Sequence, residues 1–222
     1  MEYRWLDLKK SRSGFIARYL VRDDNMKPLY MIGCVNEIGK RQKADNVSGL
    51  LGESGFREYM NQLDTPLETG YLLRIGIDHF KEINDNFGQE YGDFVLKKTA
   101  ECISGCTSEG QKVYKLVADE FLILDVSSDE AKDADKLYDK VREAIDRFIE
   151  TNEFKVMYTV SGGIVPFAAL KGNQCSEALK LTDFALNEAK KLGRNRCYIF
   201  NGETYRKFLR KRENHPGTAG KL

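Results

Sequence analysis

The chain has 222 residues, with 35 Lys or Arg against 34 Asp or Glu and a formal net charge of +1. Such a balance leaves no basic footprint for nucleic acid, and no apolar run nears the roughly 20 residues that span a bilayer, so a cytoplasmic globular domain with an extension is expected. The five cysteines are an odd number without a CxxC pair and read as free thiols, and the two histidines, His79 and His215, form no metal or triad constellation.

In chain order, Trp5, Phe15-Ile16-Ala17, Tyr19-Leu20-Val21 and Leu29 to Gly33 predict short strands joined by polar turns. Val35 to Ala44, carrying Glu37, Lys40, Arg41 and Lys43, predicts a polar connecting helix. Leu72, Leu73, Ile75 and Ile77 form the short apolar run of a strand buried on both faces. Asp78 ends it, and Phe80, Ile83, Asn84 and Phe87 then recur at helical spacing, so the turn presents backbone N–H groups where a phosphate could sit. Taken alone, an Asp at that place is as readily a helix cap, and Asn-Asp before Gly a turn.

Further on, Val113 to Val117 and Phe121 to Leu124 flank a bend that holds Asp119 and Glu120, a predicted hairpin with two carboxylates at its tip. Asp129 to Glu150 predicts a surface helix with Ala134, Leu137, Tyr138, Val141, Ile145 and Phe148 on one face. Val160 to Val165 predicts a strand, Asp183 to Leu192 a helix presenting Lys190, and Cys197 to Phe200 a last strand. The tail after Asn201, rich in Lys and Arg, leads into another domain or frays. An acidic bend and the cationic cluster Lys190, Lys191 and Arg194 are what a polyphosphate with a divalent metal requires.

Four blocks in order, DNVSGLLGESGF, GIDHFKEINDNFGQEYGD, KLVADEF and AKKLGRNRCYIF, resemble the GGDEF domain of diguanylate cyclases from about Asp45 to Phe200. Those enzymes condense two GTP into cyclic di-GMP across a dimer. The resemblance implies a nucleotidyl-cyclase-like α/β sandwich, a central mixed sheet surrounded by helices, and the alternation of strands and helices agrees. The upstream strands resemble the end of a PAS sensor domain, or else form a simple N-terminal hairpin. The expected division is 1–34 PAS-like, 35–45 signalling helix, 46–201 GGDEF domain and 202–222 tail, within a longer protein.

Carried over position by position, the resemblance puts guanine recognition at Asn84 and Asp93, whose amide and carboxylate match the guanine edge. It puts phosphate at Lys81, Lys190 and Arg194, and Phe80 in the same substrate-binding set. Asp119 and Glu120 take the catalytic positions, and magnesium falls to Asp119 with Ile77 and Asp78.

Three positions depart from the family. Its first-strand metal-binding Asp is Gly76 here, its two signature glycines are Val117 and Ala118, and its usual Asn-Arg pair in the opening block is Gly52-Glu53. Magnesium is usually held by one or two carboxylates plus substrate phosphates, so losing one removes much of the protein's share. Asp78 would sit roughly 6.5 Å further along the strand, too far for in-line attack. A stiff β-branched Val in place of Gly either reshapes the bend or keeps a triphosphate from its amides. The Arg-x-x-Asp product-feedback site is replaced by Ser108-Glu109-Gly110-Gln111. The expectation is a regulatory domain that binds GTP, with impaired or absent cyclase activity. The alternatives are a slow cyclase using Asp78 and Asp119, and a scaffold that binds no nucleotide.

Overall fold

The structure is a computed structural model that describes residues 15–22, 28–36, 44–63, 67–128, 131–152, 154, 156–172 and 174–214. The chain divides into two compact units, 1–44 and 45–222. In the first, β1 (Phe15–Arg22) and β2 (Pro28–Asn36) pair antiparallel, with a register irregularity at Val21/Arg22. The apolar runs Phe15 to Val21 and Leu29 to Gly33 thus lie in these two strands; β2 runs past the expected start of the connecting helix, residues 37–43 of which, like Trp5, lie outside the described residues.

The second unit is an α/β sandwich. Its elements are β3 (Leu51–Gly52), α1 (Glu53–Asn61), β4 (Tyr71–Ile77), α2 (Phe80–Phe87), α3 (Gln89–Cys106), β5 (Gln111–Lys115) and β6 (Glu120–Asp125). They continue as α4 (Ala131–Thr151), β7 (Val160–Pro166), α5 (Cys175–Lys191), β8 (Cys197–Ile199) and α6 (Gly202–Asn214). The mixed sheet runs β3-β5-β6-β4-β7-β8, with β4 at its centre, antiparallel to both neighbours.

Strand geometry sends alternate β4 side chains to opposite faces. Tyr71, Leu73, Ile75 and Ile77 meet Val95 and Ile103 of α3 and Val141 and Ile145 of α4 in the larger core. Leu72 joins Phe56 of α1, Leu122 and Leu124 of β6, and Ala178 of α5 on the other face. Arg74 and Gly76 share the parity of Leu72 and so lie under α5. The approach of α5 is set by glycine: a Cβ on Gly163 of β7 would collide with the backbone of Leu186.

Within the tail, residues 202–214 form α6, where Tyr205 and Phe208 pack on Phe184 of α5 at ring-centroid distances of 4.9 and 5.1 Å. Among the described residues, no helix is long and apolar enough to cross a membrane. Cys102, Cys106, Cys175 and Cys197 are free thiols.

Candidate functional site

The acidic bend sits beside the end of β4. Gly76 pairs with Glu120 across the β4–β6 ladder, and the Ile77 N–H donates to the Asp119 carbonyl at 3.3 Å. The bend is closed by the Leu116 N–H on the Glu120 carbonyl at 2.8 Å. Ala118 holds φ = +55°, the left-handed conformation that a glycine adopts without steric cost. The turn therefore keeps a glycine-type backbone without a glycine, and Val117 turns outward, 71% exposed.

Cations surround the two carboxylates. Arg74 grips Glu120 through Nε, 2.7 Å from Oε2, and through a second, shorter hydrogen bond from a terminal nitrogen to the same oxygen. Its remaining nitrogen donates to the Leu179 carbonyl of α5 at 3.1 Å. Lys190 Nζ lies 4.0 Å from Glu120 Oε1. It also fills the space over Gly76, where a Cβ would find that ammonium nitrogen at 3.2 Å. From beneath, the buried Lys115 ammonium donates to the carbonyls of Leu116, at 3.1 Å, and Ala118. Burial pushes the Asp119 carboxyl above the usual carboxylate range, against the pull of Lys190, its own backbone N–H and Lys115.

Asp78 is 3% exposed, and hydrogen bonds claim both of its oxygens. Ser161 donates to Oδ1 at 2.7 Å, and Oδ2 accepts from Thr159 at 2.7 Å and from the Asn195 N–H at 3.2 Å. This ties the end of β4 to β7 and to the loop after α5. In that loop Gly193, Arg194 and Asn195 all have positive φ, and the Arg194 N–H donates to the Ala189 carbonyl at 3.2 Å. Arg194 is exposed, on a loop held by Asp78.

A second locus lies where α2 meets α3 across Gly88, whose φ is +85°. A Cβ on Gly92 would run into the Asn84 side-chain oxygen and meet Phe80 Cζ at 3.3 Å. Glycine at 92 therefore lets the Asn84 amide and the Phe80 ring rest on α3 next to Asp93. Asn84, Asp93 and Phe80 are half-buried, and Lys81 is exposed on the first turn of α2. At the place of the absent feedback motif, the Ser108 N–H donates to Gln111 Oε1 at 2.8 Å, so those two positions close a turn on each other.

The structure brings Asp119, Glu120, Ile77 and Lys190 together at one end of β4, and Asn84, Asp93 and Phe80 together on α2–α3. Sequence reasoning missed Arg74 and Lys115. Arg74 carried a signal, as the single charge in the strand YLLRIGI, because a buried charge demands a partner.

Residues 43–196 match the family described as diguanylate cyclase, GGDEF domain. The chain belongs to the GGDEF domain family. Cyclic di-GMP phosphodiesterase NbdA of Pseudomonas aeruginosa is 30% identical over 162 residues, which cover 71% of this chain and 20% of NbdA. Diguanylate cyclase VdcA of Vibrio cholerae is 28% identical over 156 residues, covering 68% of this chain and 45% of VdcA. The chain thus spans less than half the length of these relatives. Among solved structures, the isolated GGDEF domain of TpbB (YfiN) from Pseudomonas aeruginosa shares the fold at a TM-score of 0.65 and 24% identity, over 75% of this chain and 99% of that one. The GGDEF domain of DgcB from Caulobacter crescentus, in complex with c-di-GMP, does so at 0.62 and 22%, over 73% and 98%.

GGDEF diguanylate cyclases normally use Mg2+. The residues here do not fit that ion. Gly76 offers no side-chain oxygen, Glu120 is gripped by Arg74, and the oxygens of Asp78 are taken. Among the described residues, no three His, Cys, Asp or Glu side chains converge as a metal-holding group. The Lys190 ammonium beside Gly76 adds positive charge where the family has a carboxylate, which weakens the pull on a cation there.

Proposed function

We propose that this GGDEF domain is degenerate: a guanine-nucleotide-binding regulatory module of cyclic di-GMP signalling with impaired or absent cyclase activity. The observation that carries the reading is the Asn84 amide seated on Gly92 beside Asp93, a donor–acceptor group next to a carboxylate, as a guanine edge requires. Asn84 and Asp93 select the base, with Phe80 bracing Asn84, and Lys81, Lys190 and Arg194 bind the phosphates. Asp119 and Glu120 keep catalytic positions without the carboxylate that Gly76 lacks. In this reading the domain works in the cytoplasm as a homodimer, downstream of a PAS-like sensor whose last hairpin is β1–β2.

The test is calorimetric titration of GTP and of ATP into the purified chain and into Asp93→Ala, with product analysis after long incubation. GTP preference that is lost in Asp93→Ala, without cyclic di-GMP, is the expected outcome. Equal GTP and ATP binding by both proteins would sink the guanine assignment. Cyclic di-GMP formed by the wild type and lost in Asp119→Asn would replace the reading with a slow cyclase, which the survival of Asp119 and Glu120 favours. A melting curve that GTP does not shift would leave a scaffold.

A further inference from the structure

We infer that this site takes nucleotide phosphate without a divalent ion, the Lys190 ammonium over Gly76 standing where positive charge from a metal would otherwise be needed. The inference rests on the guanine-nucleotide reading for its ligand, and on three features of the bend for its chemistry.

The first is space. Glycine at 76 leaves room that the Lys190 head fills, with Lys190 Cε at 3.5 Å and Leu186 Cδ2 at 3.2 Å from a Cβ placed there. The second is charge. Glu120 is already paired with Arg74 and lies 4.0 Å from Lys190, and Asp119, whose carboxyl burial pushes up, feels the charges of Lys190 and Lys115, so part of the acidic charge is offset from within the chain. The third is a division of labour between cations. Arg74 is fixed: its side chain is 12% exposed and reaches Glu120, the Leu179 carbonyl and, at 3.6 Å, Asp183. Lys190 is adjustable: at 4.0 Å from Glu120 it is loosely paired, its side chain is 26% exposed, and it ends a flexible stem. With Glu120 held by Arg74, Lys190 can turn to an incoming phosphate without stranding a carboxylate. The ligand class is a guanine nucleotide in its metal-free form.

Two measurements on the full chain test this. In the first, GTP is titrated calorimetrically in excess Mg2+ and in EDTA. The expected affinities differ by less than about fivefold, and a tightening by Mg2+ beyond about fivefold overturns the inference. Lys190→Gln, with melting confirming its fold, should weaken GTP by about tenfold in both buffers, and Lys190→Arg should restore binding. Unchanged affinity in Lys190→Gln overturns the inference. In the second, Mn2+ alone is titrated into the free protein and followed by electron paramagnetic resonance. An undiminished free-ion signal is expected, and a saturable Mn2+ site overturns the inference. If GTP does not bind in either buffer, the guanine reading fails, and the Mn2+ titration decides alone whether the bend is metal-free.

Discussion

Ala118 concentrates the difference between this bend and a glycine-built one. A left-handed non-glycine residue costs roughly 1–2 kcal/mol, whereas Ala in place of Gly recovers about 0.4–1 kcal/mol by restricting the unfolded chain. The strain outweighs the entropy, so Ala118→Gly should stabilise the protein by about 0.5–1 kcal/mol in urea unfolding at unchanged m-value. Arg74 gives a sharper prediction. Removing it leaves Glu120, 18% exposed, without its main partner. Arg74→Leu should cost roughly 2–4 kcal/mol, and adding Glu120→Leu should recover most of that, because a largely buried ion pair is worth little more than an apolar pair of similar volume. Additive losses in this cycle would mean that the two side chains act independently. The cycle also explains why Arg74 escaped the sequence reading. Its charge stood out, but its partner lies on another strand, 46 positions away, and only the β4–β6 register joins them.

At the scale of elements, sequence periodicity found β4, α2, the β5–β6 hairpin, α4 and β7, since each carries its apolar pattern in its own residues. It began α5 at Asp183 and so missed Cys175 to Thr182, whose buried members are Cys175, Ala178, Leu181 and Thr182, so that Leu181 alone gives a strong hydrophobic signal there. It did not find the Asp125 knot at the end of β6. There, burial raises the carboxyl, but hydrogen bonds from Gln111, Ser127 and Ser128 outweigh it and hold the group at about 2. A carboxylate whose folded pKa is depressed stabilises the fold above its unfolded value and loses that contribution as pH falls through the folded one. The wild type should therefore lose about 2 kcal/mol from this group as pH falls from about 4 to about 2. Asp125→Asn should be less stable at neutral pH and flatter across that window, as read by urea midpoints at several pH values.

For the whole second unit, the question is what closes the α5 face of the sheet. Phe184, 4% exposed, is surrounded by Tyr198, Phe200, Tyr205 and Phe208, two of which come from α6. Ending the chain after Asn201 should cost roughly 2–4 kcal/mol and lower Tm by about 5–15 °C, and an unchanged Tm would show α6 to be dispensable. From sequence this helix read as a charged tail, because its apolar stripe is short and its anchor lies some 20 positions upstream. The sandwich was legible through ordered motif blocks, and Gly76, Val117 and Ala118 stood out as departures. What filled the space over Gly76 was not legible, since the reach of Lys190 depends on how closely α5 lies on the sheet, and Gly163 sets that separation through packing.

Lys115 gives the bend one more property. Its ammonium holds the carbonyls of Leu116 and Ala118 from the buried side and lies 5.2 Å from the centre of the Phe121 ring. A tip fastened to its own floor has its backbone set before anything meets Asp119 and Glu120, so the adjustment on arrival falls to side chains such as Lys190 and to the visitor.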